Sequence, residues 1–349
     1  MLETSRQWAK NARRRVSEGT VMCFGKLSHL ISALLVLCFS VTSHAQDAGD
    51  YPNRPIRVIV PVGAGAGMDN AARVTAAAVE KHIGQTLVIE NKPGAGSRIG
   101  AAMVAKAQPD GYTLLFTSPS VITVAEHFPQ KMDFEPAKDF RPVAIGLFQP
   151  VLLIVRPGLG IKTVDEFVAF ARNNPGKISF GIQGLGGEMH LSLEVFKKTA
   201  GMNVTAVPYN AAAQAIVDLL ADRLDAMFLV IPPIKQHVEA GKLLALATLA
   251  AKRVEAMQSV PTMKELGRPE MTNAIWFGYL APSKTPDAIV EKLARAFGHL
   301  QSDAALTKRV TEMGAELNVV GPAEFGRIIE KNRREYGKIV AEGNLATQN

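Results

Sequence analysis

The sequence predicts an α/β fold of two lobes joined by crossover strands with a ligand cleft between them. Three observations lead there. Short apolar runs alternate with helix-forming stretches across short turns, the pattern of strands and helices wound into a largely parallel sheet. A glycine-rich loop between a strand and a helix occurs twice, once in each half of the chain. One long extended segment, Arg141 to Val155, is interrupted by Pro150, and proline in an extended run marks an edge or a passage between sheets.

The first of the two glycine loops anchors the reading. Ile56, Val58, Ile59 and Val60 alternate poorly and read as a strand buried on both faces. The run breaks at Pro61 into Gly63-Ala64-Gly65-Ala66-Gly67-Met68 and resumes as an Ala-rich helix after Asp69. Glycines admit a ligand close to the backbone, and the first N–H groups of a helix lack intrahelical partners, so the loop suits a carboxylate or phosphate. G-x-G-x-G lacks the third glycine position of the dinucleotide fingerprint, and no Gly-Lys-Ser/Thr follows, which excludes a P-loop. The bland alternative is a tight strand-to-helix turn and nothing more. Asp69 reads as the helix N-cap rather than a ligand contact.

Further along, Thr86 to Glu90 is a strand, Arg98 to Ala107 a helix, and Tyr112 to Thr117 a third strand ending in Ser118. Ligands in such sheets sit beyond the carboxyl ends of strands, where the Gly63 loop and Ser118 fall. After the Arg141–Val155 crossover the second lobe holds a helix from Val164 to Asn173, a strand from Ile178 to Gly181 and the loop Gly184-Leu185-Gly186-Gly187. A helix to Ala200, a strand from Val204 to Val207, a Pro208-Tyr209-Asn210 turn, a helix to Leu220 and a strand from Leu224 to Leu229 follow. Ala274 to Leu280 reads as the return crossover, with Trp276 at the hinge. Pro286 to Leu300 and Pro322 to Glu342 read as helices with proline at the N1 position, packing back on the first lobe. The expected boundaries are residues 1–45 for a leader, 46–147 for the first part of lobe one, 148–274 for lobe two and 275–349 for the return to lobe one.

The leader rests on Arg13, Arg14, Arg15 and Lys26 ahead of an uncharged apolar run, Ile31 to Val41, with Ser43-His44-Ala45 as a small-x-small cleavage site. The run is short for a membrane span. Met1 and Met22 are alternative starts. An exported, periplasmic protein is expected. Both cysteines, Cys23 and Cys38, fall in the leader, so the mature chain has no disulfide, thiolate nucleophile or cysteine metal site. Leu37 stands where a lipoprotein signal wants a small residue, against lipidation of Cys38. Six of the 39 Lys/Arg and two of the 32 Asp/Glu lie in residues 1–45, so the net charge of +7 falls to +3 in the remainder. With 6% aromatics and no basic run, nucleic acid is not an expected partner. An enzyme would need a nucleophile with a base, a metal cluster or a paired acid and base. His82, His127, His190, His237 and His299 are scattered, with no metal-ligand spacing and no G-x-S-x-G elbow. No cofactor and no metal are expected, and a monomer is the default.

Read together, YPNRPIRVIVPVGAGAGMD, IENKPGAGSRIGAAMVAKAQPDGYTL, the GxxGxGxxxH core from Gly181 to His190, VPYN, AGKLLALA, KRVEAMQSVPTMKELG and WFGYLAPSKTP resemble the Bug or TctC family. The resemblance covers Tyr51 to about Gly343. It implies a periplasmic-binding-protein-like fold of type II and capture of a small carboxylate for a tripartite tricarboxylate-type transporter, or, in some members, for a membrane sensor kinase. It places lobe-one contacts on Gly63, Ala64, Gly65, Ala66, Gly67, Met68, Asp69 and Ser118. The lobe-two contacts fall on Gly184, Gly186, Gly187, His190, Tyr209 and Asn210.

The chain departs from the family pattern at several of these positions. Ala66-Gly67-Met68-Asp69 replaces Gly-Gly-Thr-Asp, and Gly181-Ile182-Gln183-Gly184 replaces Gly-Ser-Ala-Gly. Gly187 stands for a threonine, Tyr209-Asn210-Ala211 for Tyr-Lys-Gly, and Leu229 for an aspartate. Hydroxyls and charge give way to apolar volume, so the expected ligand is a carboxylate with an apolar or aromatic body, the bland alternative being drift at these positions without a change of ligand class.

Overall fold

The computed structural model describes residues 50–349 except 130, 184, 185, 210, 344 and 346–349. The expected leader lies outside the described residues. β1 (Ile56–Val60) pairs in parallel with β2 (Leu87–Asn91) on one side and β3 (Thr113–Thr117) on the other. Side chains alternate across a strand, so Ile56, Val58 and Val60 enter one hydrophobic cluster while Ile59 enters another on the opposite face. That two-sided burial is why the sequence reads as an apolar run instead of an alternation.

β4 (Phe140–Val155) threads both halves of the sheet. From Phe140 to Pro150 it pairs antiparallel with β9 (Ala274–Pro282), whose other edge joins β3. β10 (Glu316–Val320) also pairs antiparallel with this half, Leu317 opposite Leu147. From Val151 onward the partners become β7 (Ala226–Val230) and β8 (Leu244–Thr248), both antiparallel. β5 (Ser179–Gln183) pairs in parallel with β6 (Thr205–Tyr209) and β7, and the main strand order is β2-β1-β3-β9-β4-β7-β5-β6. Pro150 therefore marks the residue after which the ladder changes lobes; lacking an N–H, proline suits a position where one set of pairings ends. The parallel arrangement expected from the alternation holds for β2-β1-β3 and β6-β5-β7. The crossover strands and β8 and β10 run antiparallel.

The principal helices are α1 (Gly67–Ile83), α2 (Arg98–Ala105), α3 (Val164–Asn173), α4 (Glu188–Ala200), α5 (Ala212–Leu220), α6 (Asp287–Gly298), α7 (Ala304–Glu312) and α8 (Pro322–Glu342). α1 and α4 stop at Gly84 and Gly201, both left-handed, the conformation that ends helices at least cost on glycine. α3 starts on a reciprocal cap: Thr163 Oγ1 accepts the Glu166 N–H at 3.1 Å, and the Glu166 carboxylate accepts the Thr163 N–H at 3.2 Å. Several boundaries differ from expectation by one or two residues, and two differences involve prolines. Pro286 is the N-cap of α6 rather than its first helical residue, whereas Pro322 does open α8. Pro208 and Tyr209 belong to β6 instead of a turn.

α8 is seated on the crossover strands. Phe325 is fully buried with its ring edge-on to Trp276, centroids 4.9 Å apart, and Trp276 Nε1 donates to Asn332 Oδ1 at 3.0 Å. Gly278 makes the fit possible, since a Cβ there would come within 2.7 Å of the Phe325 ring. One continuous hydrophobic cluster includes Val58 and Leu114 of the first lobe, Leu153 of β4, and Phe167, Phe180 and Phe228 of the second. The core thus passes through the crossover.

Candidate functional site

The carboxyl ends of β1 and β3 in one lobe, and of β5 and β6 in the other, lead into the expected contact residues. Gly63, Ala64, Gly65 and Gly67 are exposed, and no atom lies within 4 Å of a Cβ built on Gly63, Gly65 or Gly67. Gly65 is left-handed, φ 82°, which favours glycine there. Ala66 is the N-cap of α1, without a side-chain bond, and Asp69 sits in the helix as its third residue. The expectation of Asp69 as N-cap is therefore corrected. Its buried carboxylate reaches back to accept the Gly65 N–H at 2.8 Å, and accepts from Asn91 Nδ2 at 2.9 Å and Arg73 Nε at 3.0 Å. Burial alone would raise the Asp69 carboxyl; Arg73, Gly65 and Asn91 outweigh it and hold the carboxyl below its ordinary value. Asn91 also donates to Val62 O at 3.1 Å, so the end of β2 fixes both sides of the loop. Met68 is half-buried against the main core.

In the second lobe Gly184 and Asn210 lie outside the described residues. Gly186 is left-handed, φ 74°, and its N–H donates to His190 Nδ1 at 2.9 Å. His190 is buried, and burial pushes its pKa down, with Glu194 pulling up and Lys197 pushing down more weakly. Its ring braces the loop from behind. Gly187 is the N-cap of α4. The Tyr209 hydroxyl donates to Asp218 Oδ2 at 2.9 Å, and burial, followed by Asp218, pushes its pKa up to about 12. Ile182 and Leu229 are nearly fully buried in hydrophobic clusters, so their apolar character serves the core.

Ser118 is buried and joins a contact the sequence did not suggest. Glu188, the first residue of α4, is also buried, and its Oε1 accepts from Ser118 Oγ at 3.1 Å and from Ser120 N–H at 2.8 Å. Its Oε2 accepts from Ser120 Oγ at 2.6 Å. Phe128, from the same stretch after β3, lies over Gly186, where a Cβ would come within 2.7 Å of Phe128 Cζ. From sequence, Glu188 reads only as an acidic residue favoured in a first helical turn. Nothing local signals that it reaches the segment after β3.

A large hollow lies elsewhere among the described residues. It measures about 1210 Å³ between α4 and α8, with Phe148, Pro150 and Trp276 of the crossover strands among its walls. It contains none of the strand-end residues above. Between the strand ends, Glu188 meets Ser118 and Ser120, and Phe128 lies over Gly186.

Two lobes on shared crossover strands, each with a glycine loop after a strand end, are the architecture of a solute-binding protein. Residues 71–345 match the family model described as the tripartite tricarboxylate transporter family receptor, and the chain belongs to that family. It is similar to the protein BugT of Bordetella pertussis, 32% identical over 84% of this chain and 91% of that one. Among solved structures, an R. palustris protein with adipate is 33% identical, with a TM-score of 0.73 over 84% of this chain and 98% of the other. MatC from Rhodopseudomonas palustris with bound malate is 28% identical, with a TM-score of 0.69 over 83% of this chain and all (100%) of the other.

Proposed function

We propose that this chain is exported through residues 1–45 and, in the periplasm, captures a small carboxylate with an apolar body for the membrane subunits of a tripartite transporter. The observation that supports this is a glycine loop or serine at the carboxyl ends of β1, β3 and β5, with Glu188 meeting Ser118 across the two halves, together with similarity to solved structures with adipate and with malate. The lobe limits are 46–147 with 275–349, and 148–274; the change of β4 partners after Pro150 supports them. Ligand carboxylates bind backbone N–H groups and Ser118. The family positions assign further contacts to Gly184, Tyr209 and Asn210, and Asp69 and His190 act by holding the two loops. Met68, in place of a hydroxyl, and Phe128 supply apolar surface, so a methylene chain is accepted more readily than a hydroxy-acid.

A thermal-shift screen of the processed, refolded protein against aliphatic dicarboxylates, hydroxy-acids, aromatic acids and neutral amides tests this. A ligand at about a hundred times its Kd stabilises by roughly 2.7 kcal/mol. Adipate or a longer diacid is expected to raise Tm more than malate. Stronger stabilisation by malate or citrate would overturn the apolar-body reading, and no shift with any acid would overturn carboxylate capture.

A further inference from the structure

We propose that Glu188 is a specificity-determining residue that stands in for the ligand's own anionic group. Its carboxylate takes the lobe-one donors, holds the unloaded lobes together, and has to be displaced by an incoming carboxylate. This rests on the carboxylate-capture reading above. The donors are the kind that recognise a small carboxylate: two serine hydroxyls and one backbone N–H, all on the segment following β3. The hydrogen bonds of the Glu188 carboxylate among the described residues are to Ser118 and Ser120, the donors a ligand would use. Glu188 and Ser118 are each less than a tenth exposed and Ser120 is half-buried, which limits competition from water. Glu188 sits on α4 of the second lobe while Ser118 and Ser120 follow β3 of the first, so the contact ties one lobe to the other. Phe128 against Gly186 makes a second, apolar contact across the same gap.

Two carboxylates cannot share these donors. A ligand that places its anionic end on Ser118 and Ser120 leaves Glu188 without partners and beside a like charge, which is unfavourable in a site shielded from water. Binding therefore carries the cost of releasing Glu188, and the apparent affinity for carboxylates is lower than the cradle alone would allow. Ligands with a second anchoring group or a large apolar surface overcome that cost; a small monocarboxylate does not.

The test uses the processed protein with Glu188→Ala and Glu188→Gln, the second keeping side-chain volume. Small-angle X-ray scattering of ligand-free protein reads lobe closure, and calorimetry with adipate reads affinity. Wild type is expected to be as compact without adipate as with it. Glu188→Ala is expected to expand when unloaded, to close again with adipate, and to bind adipate at least about tenfold tighter, a change of 1.4 kcal/mol. Glu188→Gln falls between. An unloaded Glu188→Ala protein as compact as wild type overturns the proposal whatever the affinities. Expansion with unchanged or weaker adipate affinity overturns the displacement. Expansion with no carboxylate bound by any of the three proteins supports the interlobe tie and overturns carboxylate capture instead.

Discussion

His190 shows how one hydrogen bond sets two properties of a residue. Because Nδ1 accepts the Gly186 N–H, the ring is neutral with its proton on Nε2, and protonating Nδ1 would break the bond that braces the loop. Burial also pushes its pKa down in the folded chain. The unfolded chain, with an ordinary value of about 6.5, then takes up the proton first, so stability falls as pH drops below that value and continues to fall until the folded ring titrates. Urea midpoints at pH 7.5 and 5.5 (roughly one unit either side of the unfolded value) should separate more in wild type than in His190→Gln. His82 is shifted down too, but it is present in both proteins and cancels in the comparison. Equal separations would show that His190 is not held neutral. At this scale the sequence marked Asp69 by its place at a helix start, and His190 and Tyr209 by family position. Their roles came from partners it did not name: Gly186, Gly65 with Asn91, and Asp218.

Among the elements, those with local signals were legible. α3 was expected from Val164 to Asn173 and spans those residues, because its amphipathic period and capping box act within the segment itself. β4 was legible through its length and Pro150. β8, β10 and α7 are not legible in the sequence, since two short strands and a polar helix carry little periodic signal and are defined by the neighbours they meet. α8 was read as a helix packing back on the first lobe, yet what seats it is the Phe325 ring over Gly278 and Trp276. Replacing a fully buried phenylalanine leaves a cavity that a packed strand pair refills poorly. Phe325→Ala is expected to cost about 3–5 kcal/mol, read as a lower urea midpoint by Trp276 fluorescence. A loss below about 1 kcal/mol would mean that the site collapses or that the helix is not anchored there.

For the whole molecule, the path of β4 through both ladders and a core that includes Val58, Leu153 and Phe228 argue that the lobes unfold together. Urea unfolding followed by Trp276 fluorescence and by far-ultraviolet circular dichroism should give coincident transitions. Separate midpoints would show lobes that unfold independently. Hinge motion remains compatible with such cooperativity, because closure changes contacts at the strand ends while the shared strands stay paired. By itself the sequence determined the α/β class, the strand-end glycine loops, the crossover at Pro150 and the family, because strand burial, helix period, glycine conformation and proline chemistry each act within a few residues. Only the tertiary structure decided that Glu188 meets Ser118 and Ser120, that Phe128 covers Gly186 and that Ile182 and Leu229 serve the core. Those contacts join segments some 60 residues or more apart, or depend on which way a strand faces, and the fold alone brings them together.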